Sequence, residues 1–128
     1  MPKRLWKRIA TMALLATAAS PGLAQHNACL LENRFSMGGI TTDIRDCIQA
    51  NNAAAQSGLK QSCEGTANAG VAMRLPPARI TYLEACPAQP QGVCELPATS
   101  FHYYKRDAGS LAAAREGCPA LGGRWKAG

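Results

Sequence analysis

Two kinds of reactive side chain stand out in this chain: six cysteines, Cys29, Cys47, Cys63, Cys86, Cys94 and Cys118, and two histidines, His26 and His102. An even set of six thiols in an oxidising setting is expected to form three disulfides. Zinc would ask for C-x(2–4)-C spacing, whereas the closest pair, Cys86 and Cys94, lies eight residues apart. A redox-active dithiol would need a C-x-x-C motif, which does not occur. No metal and no cofactor are therefore expected. The sequence selects none of the fifteen pairings that six cysteines allow. Three cysteines precede Pro76-Pro77 and three follow it, so with all six oxidised at least one bridge must join the two halves.

The histidines suggest acid–base chemistry only in outline. A metal-independent nuclease would need His26 and His102 to converge on a phosphate, one taking a proton and the other giving one, with Lys105 beside them. Alternatively, His102 works with a carboxylate in a small hydrolase. The acid pairs Asp43/Asp46 and Glu84/Glu95 could flank a glycosidic bond, but helix-end and solvent-facing roles suit them better. Ser62, Ser100 and Ser110 lack a G-x-S-x-G setting and an evident base. No glycine loop followed by Lys-Ser/Thr is present to hold phosphates.

The 24 N-terminal residues read as an export signal. Lys3, Arg4, Lys7 and Arg8 precede an apolar run from Ile9 to Ala19, and small residues Gly22 and Ala24 stand at −3 and −1 of a cut before Gln25. The run falls short of the about 20 residues that span a bilayer. The expected organisation is a signal peptide over 1–24 and one disulfide-stabilised domain over 25–128, with no stable membrane anchor after cleavage and a periplasmic or extracellular location. The leader holds four of the fourteen basic residues and none of the eight acids, which leaves ten against eight and a net charge of +2. A nucleic-acid partner is not expected from so small a charge.

The elements that must position these residues read as follows. Gln25 to Gly39 has no clear period and reads as an irregular arm. Ile44, Cys47 and Ile48 fall at i, i+3, i+4, and Thr41 or Thr42 can cap, which predicts a helix. A second helix is predicted from Ala53 to about Glu64. Arg79–Ala85 leans to strand. Val93–Leu96 and Phe101–Lys105 read as a hairpin, Leu111–Cys118 as a helix and Arg124–Lys126 as a last edge strand. The fold expected is α+β: a small disulfide-linked domain with an N-terminal helical pair followed by a β-β-α-β C-terminal half.

One pattern runs through the last 45 or so residues: Cys86-Pro87, Gly92-Val93-Cys94, Tyr103-Tyr104, an alanine-rich stretch ending at Cys118, then Gly122-Gly123-Arg124-Trp125. It resembles the C-terminal cassette of small exported bacterial proteins of unknown function, with the spacing C-P…G-x-C…Y-Y…C…G-G-x-W. The resemblance implies a secreted cystine-linked module and no reaction. On the strand over 101–106, His102, Tyr104 and Arg106 share one side and form the candidate binding surface. The expected function is a non-enzymatic exported module that binds a protein or envelope component. The alternatives are the small hydrolase or nuclease above, or a structural envelope protein without a discrete site.

Overall fold

A computed structural model describes residues 26–128; the leader expected over 1–24 lies outside the described residues. The chain builds a six-stranded, wholly antiparallel sheet and lays short helices on one face. The strands are β1 (Ala28–Met37), β2 (Ile40–Ala50), β3 (Arg79–Leu83), β4 (Gly92–Glu95), β5 (Thr99–Tyr103) and β6 (Arg124–Ala127), in spatial order β3-β1-β2-β5-β4-β6. The helices are α1 (Ala53–Ser57), α2 (Leu59–Ala67) and α3 (Ala108–Ala120), with a 3-10 turn over Val71–Met73.

This corrects the expected layout of an N-terminal helical pair followed by β-β-α-β. The irregular arm and the first helix are instead β1 and β2, an antiparallel hairpin in register from Ala28↔Gln49 to Met37↔Ile40. The misreading has a physical cause. A strand covered on both faces loses its alternation and shows runs of apolar residues. Ala28 to Leu31 are four consecutive buried residues, and Cys47 and Ile48 are buried side by side. Ile44 and Ile48 face one way and Cys47 the other, so the i, i+3, i+4 spacing never describes a single face. The hairpin turn is Gly38-Gly39, with φ of 57° and 80°. Two consecutive left-handed residues make the turn whose twist suits a two-residue hairpin, and glycine adopts it without strain.

The predicted second helix is broken at Gly58 into α1 and α2. Asn52 caps α1, its Oδ1 accepting from the Ala55 amide at 2.8 Å. Leu59, Cys63 and Ala67 follow at i, i+4, i+8 and are the buried residues of α2. They pack on Cys29, Leu31, Ile48 and Ala50, with Ile80, Tyr82 and Phe101 at the margin. We call this side the helix face. The other side buries Ala28, Leu30 and Cys47 under Leu83, Cys86 and Tyr104. Residues 84–91 run from β3 to β4 across it as a strap, so it is the strap face.

Three disulfides, Cys29–Cys63, Cys47–Cys86 and Cys94–Cys118, share one logic. Each joins a strand to the segment that covers it: β1 to α2, β2 to the strap, β4 to α3. Cys47–Cys86 is the bridge that crosses Pro76-Pro77. Among the twelve buried hydrophobic residues five are half-cystines and three are alanines, leaving Leu30, Leu31, Ile48 and Leu59 as the large aliphatic side chains. Burial of so little aliphatic area stabilises weakly, whereas closing loops of 24 to 39 residues is worth about 3.4 to 3.9 kcal/mol per bridge. The cross-links are a major source of stability, and they place the chain in an oxidising compartment. No helix among the described residues is long and apolar enough to cross a membrane.

Candidate functional site: an apolar groove beside a free strand edge

The sheet separates the residues expected to act together. His102 lies on the strap face of β5, directly opposite Cys47 on one side and Val93 on the other. Tyr104 lies just past β5 and donates its hydroxyl to the Pro87 carbonyl at 2.5 Å, which holds the strap down. Arg106 has turned to the helix face. Its Nε and Nη2 clamp the two Asp46 oxygens at 3.2 and 2.6 Å, Nη1 donates to Ser110 Oγ at 2.8 Å, and the guanidinium lies over the Tyr103 ring at 5.2 Å. The alternation of 102, 104 and 106 fails because β5 ends at Tyr103. The three residues form no common surface.

The catalytic alternatives are divided in the same way. His26 meets Tyr82, a helix-face residue, with ring centroids 6.1 Å apart, whereas His102 sits on the strap face. Asp43 pairs with Arg34 on the strap face and Asp46 with Arg106 on the other. Glu84 begins the strap, and Glu95 is bonded to Lys126 at 2.9 Å. Ser100 is buried with its hydroxyl on Asn51, and Ser110 is held by Arg106.

His102 is nevertheless unusual. Burial lowers its pKa below 6.5, and the charge of Glu95 opposes that only in part. Its Nδ1 is buried and has no hydrogen-bond partner among the described residues. A neutral imidazole fits that environment, because charging it would need solvent or an acceptor that the strap face does not supply. Burial likewise raises the pKa of Tyr103, with the Asp46 charge adding to it, and of Tyr104, where Arg45 opposes it. The Asp46 hydrogen bonds raise that of Arg106.

The residues of the C-terminal pattern divide between the faces: Cys86-Pro87 and Tyr104 hold the strap, and Tyr103, Cys94, Cys118 and Trp125 gather on the helix face. Tyr103 stacks on Trp125 at 5.8 Å, Trp125 lies opposite Cys94 in the β4–β6 ladder, and Cys94 is bridged to Cys118. Gly92 is small because the Trp125 ring passes over it: a Cβ there would lie 2.1 Å from Cζ2. This helix-face part of the pattern is a packing unit that fastens α3 and β6 to the sheet.

A concave surface opens elsewhere, away from the residues expected to act. Beyond Glu32 and Asp46 the β1–β2 hairpin outruns its neighbours β3 and β5 and projects as a two-stranded arm. On the helix face of that arm lie Phe35, Met37, Ile40 and Ile44, by alternation. Facing them is the segment from Ala69 to Ala78, tied to β1 by Asn33 Nδ2, which donates to the Pro76 carbonyl at 2.9 Å. Between the two runs a groove of about 300 Å³, lined by Phe35, Ile44, Met73 and Leu75 and closed at one end by the Asp46–Arg106 pair. Met37, Ile40, Val71 and Met73 are 48 to 71% exposed, and they are four of the five exposed large hydrophobic residues among the described residues. Of these only Met73 lines the groove; Met37 and Ile40 lie farther out on the arm, and scattered exposed apolar side chains are ordinary.

The arm also carries an open edge. A two-residue hairpin closes with a hydrogen-bonded pair, so odd-numbered residues of β1 bond to β2 and even-numbered ones point outward. The Ala50 amide donating to Asn27 O at 2.7 Å fixes the same parity. Arg34 and Ser36 therefore offer amide and carbonyl groups past the end of β3 with no backbone partner among the described residues. The alternation Phe35-x-Met37 and Ile40-x-x-x-Ile44 around Gly38-Gly39 was the signal available in the sequence. Comparison of this chain with protein-family models, with curated proteins and with solved structures finds no match.

Proposed function

We propose that this chain is an exported, periplasmic or extracellular binding protein that takes an extended, uncharged apolar stretch of another polypeptide into the groove between the β1–β2 arm and residues 69–78. The observation that carries the reading is the apolar lining of Phe35, Ile44, Met73 and Leu75 beside the unpaired edge at Arg34 and Ser36. A peptide strand laid along that edge gains backbone hydrogen bonds, and its alternate side chains drop against Phe35 and Ile44. A lipid chain could fill the apolar part but would leave the edge groups unpaired. The charged residues at the groove, Asp46 and Arg106, neutralise one another, which suits an occupant without charge.

The test uses a blocked peptide of alternating valine and threonine, followed by amide chemical shifts of the labelled protein. Binding is expected to shift Arg34, Ser36, Phe35 and Ile44 together. The variant Met73→Ser, at an exposed position in the groove lining that leaves the core intact, is expected to weaken it several-fold, since one large apolar contact is lost. Shifts confined to other surfaces, or an affinity indifferent to that variant, would overturn the reading.

A further inference from the structure

The strap face of the same arm carries a second, chemically different cavity. It has a volume of about 530 Å³, and its charged lining consists of Glu32, Arg34, Asp43, Arg45, Arg79 and Lys105. Four cations against two carboxylates give this one cavity a charge of +2. Residues 25–128 together carry ten basic and eight acidic side chains, also +2. The excess positive charge of the domain is thus matched by a single concave surface.

The ion pairs show where that excess resides. Arg34 and Asp43 satisfy each other at 3.2 Å. Glu32 is shared by two guanidiniums, with Oε1 on Arg79 at 2.9 Å and Oε2 on Arg45 at 3.9 Å, so one carboxylate serves two cations. Lys105 is exposed and has no ion-pair partner among the described residues. One surplus charge comes from the Arg45–Glu32–Arg79 triad and one from Lys105. Arg45 is also preset: its guanidinium lies over the Tyr104 ring at 5.3 Å, and that ring is pinned through its hydroxyl to the strap.

We propose that this cavity binds the phosphate of a phosphomonoester, with Arg45, Arg79 and Lys105 as its ligands. A phosphate with a second pKa near 6 carries about −1.5 to −2 at neutral pH, which matches the surplus of two, and planar guanidiniums donate to its oxygens in pairs. A monocarboxylate would leave one cation uncompensated. Its charged ligands lie on the face of the arm opposite the apolar groove, and Asn33 and Ile44 border both cavities.

Titration of the mature protein with inorganic phosphate at low salt tests it, with flotation on phosphatidylcholine vesicles with and without phosphatidic acid to separate sources. Phosphate is expected to shift the amides of Arg45, Arg79 and Lys105, and to bind several-fold more tightly at pH 8 than at pH 5.5. Lys105→Gln or Arg79→Gln, both at exposed positions, should weaken it roughly tenfold, the worth of one charge-assisted contact. Arg115→Gln, on exposed α3, should not. Flotation with phosphatidic acid assigns the phosphate to a lipid headgroup; binding of free phosphate without flotation assigns it to a diffusible ester. Absence of both, or binding that Lys105→Gln and Arg79→Gln leave intact, overturns the proposal.

Discussion

Cutting the strap loose by Cys47→Ala/Cys86→Ala has consequences that can be worked out in advance. The bridge spans 39 residues, and the restriction it places on the unfolded chain is worth about 3.9 kcal/mol. Two contacts remain on the strap without it, the Cys86 amide to Gln49 Oε1 at 2.9 Å and the Tyr104 hydroxyl to Pro87 O at 2.5 Å. At about 1 kcal/mol each they keep the strap in place in the folded state but do not replace the lost term. In a domain of about 100 residues each kcal/mol moves the melting temperature by about 4–8 °C, so the midpoint should fall by about 15–30 °C. Thermal unfolding followed by near-ultraviolet circular dichroism measures this directly. A second readout is His102. It sits opposite Cys47, and burial is what lowers its pKa. Replacing the Cys47 half-cystine opposite it with alanine removes bulk from beside the ring and admits water, so its titration, followed by the imidazole proton resonances, should move up toward 6.5. A midpoint that falls by less than about 5 °C would refute the view that the cross-links compensate for the small core. A His102 titration identical in both proteins would show that something other than the Cys47–Cys86 bridge keeps that ring dry.

Two further outcomes follow from named contacts. Stability of the parent should depend on pH through His102: its folded pKa lies below the unfolded value of 6.5, so the unfolded chain binds the proton first. The stabilisation is full above 6.5, falls as pH drops from 6.5 toward the folded pKa, and is then lost; denaturant midpoints across this window should show the slope, and His102→Gln should flatten it. Gly92→Ala should cost about 1–3 kcal/mol by pushing a methyl group into the Trp125 ring, which is stacked with Tyr103. Gly109→Ala serves as the control, because its nearest new neighbour would be Asp107 Oδ1 at an ordinary 3.5 Å.

How legible the fold was depended on what covered each strand. β4 and β5 are short and partly open, and Val93–Glu95 and Phe101–Tyr103 showed strand character in the sequence. Ala28–Leu31 and Cys47–Ile48 are sealed on both sides, and there the two-residue period vanishes into continuous apolar runs. Gly38-Gly39 is the local hairpin signal in this stretch, since two glycines between apolar runs mark a turn. Asp43 and Asp46 looked like helix-end charges because they were read on a helix; on a strand three residues apart they face opposite ways. His102, Tyr104 and Arg106 failed as a surface for a related reason: alternation holds only while the strand lasts, and Asp46 draws Arg106 to the other side. Alternation marks one wall of the groove, Phe35 and Ile44, but its pairing with residues 69–78 is a long-range contact that no local pattern encodes.

The order of the half-cystines along the chain sets a problem for biogenesis. Cys94 and Cys118 are neighbours in sequence as well as partners, so that pair can close as soon as both are present. The other four interleave, 29 with 63 and 47 with 86, and the first two sulfurs to leave a ribosome or a translocation pore are not mates. An oxidant acting on thiols in order of arrival would join Cys29 to Cys47, two positions on opposite faces of the finished sheet. Reaching the native arrangement from there requires thiol–disulfide exchange, so the yield of this protein is tied to the isomerase capacity of the compartment in which it matures.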